Sequence, residues 1–414
     1  MTFARSLVGV TLALLSAVTA YAQQQTRIPI RKVTTLAGSD SGVLANVYVL
    51  HAQSDGSVLV NDATRSRLLL FDATLKKYKL VADTAGESAN NFGIGAGGLL
   101  LFAGDSTAFV DRASKALVIV DAKGNFGRVT TPPRVDDTGG FSGSTYGVPG
   151  FDAQGRLYYR GGLQVFTLPV LPAHDTTLVF ADSAPVVRAD FDARRVDTIG
   201  VMHIPLQKSK VRPVQNRFTF VQIINPLPVT DEWAYLADGT VAIVRGQDYH
   251  IDWFLPDGSR RSTPKMPFDW RRLTDADKQR MVDSVQHMLD SAYDAALARF
   301  MESNAPQGRG GPQPTFQKGE VVKAAELPDY YPPVRASSQM RADLDGNLWI
   351  LPTTSLQASG GSLLDVVNRQ GEIIERVQLP EGRNLHGFGA GGIIYMSVPV
   401  QYSWPRIEKA RIER

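Results

Sequence analysis

The sequence predicts an all-β fold built from one repeated unit, and the first evidence is a repeated spacing of aspartates. Three pairs stand ten residues apart: Asp62 and Asp72, Asp111 and Asp121, and Asp182 and Asp192. The second observation is a set of tight turn pairs, each followed by a β-rich run. These turns are Asp55-Gly56, Gly104-Asp105, Gln154-Gly155, Asp238-Gly239, Asp345-Gly346 and Gly391-Gly392. About six units of four strands each are typical of a β-propeller.

The spacing of these turns indicates how the ring closes. Most intervals are 46 to 50 residues, and two longer ones, of 84 and 107 residues, carry insertions. Only 22 residues follow Gly392, too few for three further strands. We therefore expect the strand from Ile28 to Leu36 to complete the last blade, which removes an open sheet edge. A β-sandwich or a two-domain chain remains an alternative.

Residues 1–22 have the pattern of a cleaved export signal. Arg5 precedes a mostly apolar run from residue 7 to 17, and Ala20-Tyr21-Ala22 fits a cleavage site. The run is too short for a stable membrane span, although an N-terminal helix of the fold is an alternative. The propeller then occupies residues 23–414, with no further span. The sequence thus predicts a secreted or periplasmic protein, and we expect a monomer.

Composition excludes several classes of function. The chain has no cysteine, which excludes disulfides, a thiolate nucleophile, a cysteine-ligated metal and a lipid anchor on cysteine. Its hydrophobic content of 43% is enough for an apolar core. The net charge of +3 is too small to indicate binding of nucleic acid or of an anionic membrane surface.

The first unit also carries a family resemblance. Val60-Asn61-Asp62, followed by Arg67 and an apolar run to Phe71-Asp72, resembles an NHL-type blade. The mature chain is similar to the six-bladed propellers of the NHL and TolB-like type. The second unit has Ala116 where the family has Arg, and the fourth has Arg245 where it has Asp. The resemblance implies the fold rather than one activity, because scaffolds, lactonases and lyases share it.

Four insertions interrupt the repeat: residues 163–184, 206–228, 270–331 and 352–361. Propeller strands alternate in direction, so the connections after second and fourth strands share one face, here called the top face. All four insertions follow such strands. Insertions on one face of a repeat protein often mark its binding side. The alternative is that insertions accumulate wherever they do no harm.

The largest insertion predicts one amphipathic helix at about residues 271–303. Thr274 is a candidate N-cap, and apolar residues from Met281 to Phe300 recur at intervals of three and four. The helix packs either on its own propeller, which we favour, or on a partner. The Pro- and Gly-rich tract that follows, at about residues 304–318, is typical of a flexible linker.

Several polar residues are predicted to converge at the mouth of the channel on the top face. The candidates for ligand binding are Arg245, Arg160, Asp62, Asp111, Asp231, Tyr146 and His386. Guanidinium groups favour bidentate carboxylates, so we expect a small anionic molecule, or a protein partner, at this face. Arg245 is the preferred anchor. The alternatives are that each Arg pairs with a nearby Asp, such as Asp231 or Asp248, and that Asp62 and Asp111 hold turn amides.

No motif predicts a cofactor. Converging carboxylates could hold Ca²⁺, but the six histidines form no zinc-binding spacing. Residues 140–144 lack the second glycine of a nucleophile elbow, and the glycine run at residues 92–98 precedes a strand instead of a helix. The favoured function is therefore a binding module. The alternatives are a metal-dependent lactonase-like hydrolase or a lyase, with catalytic residues unknown, and an envelope assembly factor whose helix engages a partner.

Overall fold

The structure is a computed structural model. It describes residues 28–84, 98–141, 146–162, 174–214, 217–303, 317–336, 339–399 and 405–414. Over these ranges the chain forms seven sheets and one α-helix. The predicted export signal, the glycine run at 92–97 and most of the predicted linker lie outside the described residues. In the described ranges, no helix is both long enough and apolar enough to cross a membrane.

Six sheets follow one another along the chain, each ordered from a first to a fourth strand. Blade 1 contains β3 (Val47–Ala52), β4 (Val58–Asp62), β5 (Arg67–Phe71) and β6 (Tyr78–Asp83). Blade 2 contains β7 (Leu99–Leu101), β8 (Thr107–Asp111), β9 (Ala116–Val120) and β10 (Phe126–Thr130). Blade 3 contains β11 (Gly150–Phe151), β12 (Leu157–Arg160), β14 (Ser183–Asp190) and β15 (Arg195–His203).

The remaining three blades have the same order. Blade 4 contains β18 (Glu232–Tyr235), β19 (Val241–Arg245), β20 (His250–Phe254) and β21 (Arg260–Ser262). Blade 5 contains β23 (Arg341–Ala342), β24 (Leu348–Ile350), β25 (Leu363–Val367) and β26 (Ile373–Gln378). Blade 6 contains β27 (Asn384–Gly389), β28 (Ile393–Val398), β29 (Arg406–Ile412) and β2 (Val33–Gly38).

The blades form an all-β propeller, as the sequence predicts. First strands of neighbouring blades contact each other, for example β27 with β3 and β3 with β7, so they line a common axis. Every predicted first turn joins a first strand to a second strand. Glycines in these turns have a positive φ, such as 87° at Gly56 and at Gly239, which side chains rarely tolerate.

The N-terminal segment completes the last blade, which confirms the predicted closure. β2 pairs antiparallel with β29 as the fourth strand of blade 6, with Thr34 opposite Arg411. β1 (Ile30–Arg31) adds a short parallel strand to β26 at the outer edge of blade 5. Both chain ends therefore take part in closing the ring, and the last blade has no missing strand.

The core consists of apolar layers within and between neighbouring blades. Leu59 of blade 1 and Phe109 of blade 2 are buried in one layer, and Trp233 of blade 4 packs with Tyr158 of blade 3 in another. Burying a side chain such as Leu59 stabilises the fold by roughly 1.5–3 kcal/mol. These layers hold the top ends of adjacent blades in fixed positions, and the candidate residues lie there.

One predicted repeat is wrong in detail. Asp62 and Asp111 each end a second strand, but Asp182 comes directly before β14, the third strand of blade 3. The insertion between β12 and β14 separates that strand from its partner, so the spacing of ten recurs there without the same structural position. In the turn that follows β14, the carboxylate that accepts backbone amides is Asp190, and its donors are Asp192 and Ala193.

Three insertions fold together into a seventh sheet that is not a blade. Its strands are β13 (Thr176–Val179), β16 (Lys208–Val214), β17 (Arg217–Ile224) and β22 (Glu320–Val321). The fourth insertion contains a 3₁₀ helix, Thr353–Gln357, and two more 3₁₀ helices span Val135–Phe141 and Ala324–Glu326. The insertions therefore form an additional layer built by distant parts of the chain.

The α-helix, α1, spans Asp275–Ser303, four residues shorter at its start than predicted. It starts later because Arg272 is in an extended bridge with Tyr330. Thr274 is the cap, since its hydroxyl accepts the amide of Asp277 at 3.2 Å. Met281 packs against an apolar cluster on the insertions, and Lys278 donates to Asp329 at 2.8 Å. The helix thus docks on its own chain, at the insertion sheet.

Candidate functional site

Arg245, the preferred anchor in the sequence, is bound by carboxylates of its own chain. It ends β19, and its Nη1 donates to Oδ2 of Asp231 at 2.7 Å. Its Nε donates to Oδ2 of Asp252, also at 2.7 Å. Burial opposes the charged form, but these two hydrogen-bonded carboxylates raise the pKa of Arg245. Arg245 therefore forms the pair with Asp231 that the sequence analysis gave as the alternative to ligand binding. The other named partner, Asp248, contacts His250 and Lys265 instead.

Asp231 joins blades 3 and 4. Besides Arg245, it accepts the amide of Gly246 at 2.9 Å and the amide of His203 at 2.8 Å. Gly246 must be a glycine, because a Cβ there would lie 1.8 Å from the carbonyl oxygen of Thr230. Three hydrogen-bond donors thereby fix the carboxylate, and its geometry is that of a structural connection between blades.

Asp62 and Asp111 have local capping roles. Asp62 is completely buried, accepts the amide of Asn46 at 3.0 Å and pairs with Arg67 at 3.3 Å. Asp111 accepts the amide of Ala113 at 3.1 Å in the turn that follows β8. The predicted role of holding amides therefore describes both residues, although Asp62 caps the entry to its blade instead of the next turn.

Arg160 is in a different environment. It ends β12 and is only 8% exposed, yet it forms no hydrogen bond with any described residue, and its Nε is a buried donor without an acceptor. The guanidinium lies over the ring of Tyr146, 5.6 Å from the centroid. Burial lowers the pKa of Arg160, while Tyr146 and Glu232 act in the opposite direction. The charge is thus stabilised by an aromatic face and a nearby carboxylate, without direct pairing.

The position of Tyr146 is fixed by blade 4. Its carbonyl oxygen accepts the indole N–H of Trp233 at 2.9 Å, and Oε2 of Glu232 accepts the amide of Gly147 at 2.8 Å. Gly147 has a φ of 65°, and a Cβ there would lie 2.2 Å from the indole nitrogen. Burial is the main reason that the pKa of Tyr146 rises to about 12, so the ring stays neutral beside Arg160.

His386 lies beside an arginine that the sequence reasoning missed, Arg341. His386 Nε2 is 2.7 Å from Oγ of Ser397, while Nδ1 has no partner among the described residues. Burial, with a contribution from Arg341, lowers the pKa of His386 to about 3. Burial also lowers the pKa of Arg341 to about 10. The one sequence feature that could have indicated Arg341 is its place five residues before the turn glycine Gly346, where a first strand is expected.

The structure therefore divides the predicted site. Arg160 and Tyr146 are in contact, and His386 lies with Arg341, whereas Asp62, Asp111 and the pair Asp231–Arg245 lie in separate structural contacts. Within the described part of the chain, no group of three or more His, Asp or Glu residues is arranged to hold a metal ion.

Two grooves lie away from the mouth. One, of about 440 Å³, is lined by Phe102, Phe151 and Phe191 together with the first turn of blade 3. The other, of about 280 Å³, is lined by the first turns of blades 5 and 6. First turns lie on the face opposite the insertions, so neither groove includes Arg160 or His386.

Comparisons with known proteins find similarity among solved structures alone. No protein family and no curated protein matches the chain. Among solved structures, a streptogramin B lyase aligns at 11% identity over 92% of this chain and 97% of its own, with a TM-score of 0.38. A gluconolactonase from Xanthomonas campestris aligns at 9% identity over 92% and 100%, with a TM-score of 0.40. A calcium-binding regucalcin from Agrobacterium tumefaciens aligns at 9% identity over 92% and 96%, with a TM-score of 0.35.

Proposed function

We propose that this protein is an exported propeller that binds a carboxylate-bearing ligand at its top face, with Arg160 as the anchor. The observation that carries the proposal is a guanidinium that is 8% exposed and lacks a hydrogen-bond acceptor among the described residues. An unpaired buried donor costs about 1–3 kcal/mol, and more when it is charged. A carboxylate accepts two parallel N–H bonds from arginine and removes that cost.

The surroundings of Arg160 favour a ligand of moderate size. The Tyr146 ring covers one face of the guanidinium and leaves the edge, which carries the donors, for the ligand. Glu232 lies close enough to contribute to the pKa of Arg160 and repels any anion, so a single carboxylate suits the site better than a more highly charged group. A small organic acid, or an acidic side chain of a partner protein, fits these conditions.

The wider assignment is part of the same proposal. Residues 1–22 are taken as a cleaved export signal, which gives a secreted or periplasmic protein. The NHL-like motif from Val60 to Asp72 supports membership among six-bladed NHL or TolB-like propellers. We expect a monomer, because both chain ends are used to close the ring.

Isothermal titration with acetate, and with acetamide as its uncharged analogue, tests the proposal. Arg160→Gln keeps a polar side chain but removes the charge, and it should weaken acetate binding at this site at least tenfold. Arg195→Gln is the matched control, because Arg195 is an exposed arginine paired with Asp197. If Arg160→Gln and Arg195→Gln bind acetate equally, or if acetamide binds as well as acetate, the proposal is wrong.

A further inference from the structure

We propose a second anion site on the propeller axis, where Arg341 of β23 and His386 of β27 together hold one carboxylate group. This site is separate from Arg160 and does not depend on it. It belongs to the inner strands of blades 5 and 6, whereas Arg160 ends the second strand of blade 3.

The position of Arg341 follows from its neighbours. It starts the first strand of blade 5, and its charge acts on Tyr235 in the first strand of blade 4. It also acts on His386 in the first strand of blade 6. β23 also contacts β18, the first strand of blade 4, so Arg341 belongs to a strand that lines the axis, with Tyr235 on one side and His386 on the other. Arg341 and His386 both retain some exposed surface, although protein surrounds them.

No described carboxylate neutralises Arg341. Its Nη2 reaches Oε1 of Gln339 at 3.4 Å, a long hydrogen bond, and its Nε is buried without an acceptor. The segments outside the described residues contain one acidic residue, Glu87. Every other Asp and Glu is described, and none forms an ion pair with Arg341. A direct anionic partner of Arg341 is therefore either Glu87 or a bound anion.

His386 supplies a second donor. Its low pKa keeps the imidazole neutral at pH 7, so one ring nitrogen carries a proton and the other accepts one. If the Ser397 hydroxyl donates to Nε2, the proton is on Nδ1, the nitrogen that has no partner. The pair then offers one positive charge and several N–H donors. This suits a monoanion with two acceptor oxygens, which is a carboxylate, better than a phosphate dianion.

There is room for such a group next to His386. A Cβ built on Gly387, the following residue of β27, would have no atom within 4 Å, so the backbone faces open space there. The register of β27 also shifts between Leu385 and Gly387, and this bulge turns His386 out of the regular alternation of the strand. Open space beside two unpaired donors is the arrangement that a bound carboxylate needs.

Equilibrium dialysis with labelled acetate tests the site by stoichiometry. The wild type should bind two acetates, Arg160→Gln one, Arg341→Gln one, and the double variant none. If the Arg160 proposal alone fails, the wild type and Arg160→Gln bind one acetate and Arg341→Gln binds none. If Arg341→Gln binds as many acetates as the wild type, the axial site does not exist. Equal displacement of the axial acetate by phosphate and by chloride would contradict a carboxylate-selective site.

Two further variants keep the test decisive. His386→Gln removes the Nδ1 donor and should weaken acetate binding at the axial site at least several-fold. This variant replaces Arg341→Gln in the test if Arg341→Gln does not fold. Glu87→Gln tests the competing partner. If it lowers the melting temperature of the wild type but not of Arg341→Gln, Glu87 is the counter-charge and the proposal is overturned. If it leaves both melting temperatures unchanged, Glu87 is not the counter-charge of Arg341, as the proposal expects.

Discussion

Arg245 and Arg341 are both partly buried, but their surroundings differ. Arg245, between blades 3 and 4, has two carboxylates at 2.7 Å and also donates to the carbonyl oxygen of Val201. Arg341, on the axis, has one long hydrogen bond to Gln339. The chain therefore pairs the arginine that joins two blades and leaves an arginine beside the channel without a carboxylate. The difference separates a structural charge from one that is available to a ligand.

The largest expected effect on stability concerns Arg245, the arginine that is paired with carboxylates. Asp231→Ala should lower the free energy of unfolding by about 3–5 kcal/mol, because it leaves Arg245 buried with half of its counter-charge. Urea unfolding measures this change. Asp238→Asn is the control: its pair with Arg369 is half-exposed on both sides and should contribute about 0–1 kcal/mol. If Asp231→Ala lowers the free energy of unfolding no more than Asp238→Asn does, the pairing of Arg245 is not a structural connection between blades.

An intermediate effect is expected on lowering the pH. Burial lowers the pKa of His51 to about 4 and that of His386 to about 3, below the unfolded value of 6.5. Between these values the unfolded chain binds protons that the folded chain does not, so stability falls as the pH drops below 6.5. Each histidine should lower the free energy of unfolding by roughly 2 kcal/mol at pH 5.

Acetate sharpens this prediction, because a carboxylate beside His386 favours the protonated imidazole and should reduce the loss at low pH. His51, between blades 1 and 2, contacts Thr107 and should respond to pH in the same way with or without acetate. Thermal unfolding of His386→Gln and His51→Gln at pH 5 and 7 separates the two contributions. If acetate changes the pH response of His386→Gln as much as that of the wild type, the anion does not act at His386.

The smallest effect is expected from calcium. Asp62 already accepts amides and pairs with Arg67, so added calcium should not shift the melting temperature. A calcium-dependent rise that disappears in Asp62→Asn would contradict this capping role, because a ligand raises stability only by binding the folded state. That result would also favour the metal-dependent enzyme over the binding module.

The fold was predictable because its signals are local. Turn pairs such as Asp55-Gly56 need a positive φ, and the short remainder after Gly392 indicated closure by the N-terminal strand. The seventh sheet was not predictable in the same way. β13, β17 and β22 come from three separate insertions, and nothing in one insertion shows that it pairs with another.

The site was only partly predictable for a similar reason. The sequence placed Arg160 and Tyr146 in the same group of candidates, and the two side chains are in contact. Pairing of Arg245 with Asp231 was the stated alternative. The sequence could not decide for it or reveal the second partner, Asp252, because those contacts depend on how β18, β19 and β20 pair across the blade. Arg341 was missed because a lone arginine at a strand start has no motif. What distinguishes it is the effect of its charge on Tyr235 and His386 in the two neighbouring blades.

A crystal structure with bromoacetate bound is the most direct test of the central claim, that unpaired arginines at the mouth and axis bind carboxylates. Bromine gives an anomalous signal, so each bound molecule can be located without reference to the protein density. We expect one peak beside Arg160, one beside Arg341 and His386, and none beside Arg245. Peaks beside Arg245, or no peak at either unpaired arginine under saturating bromoacetate, would contradict the claim.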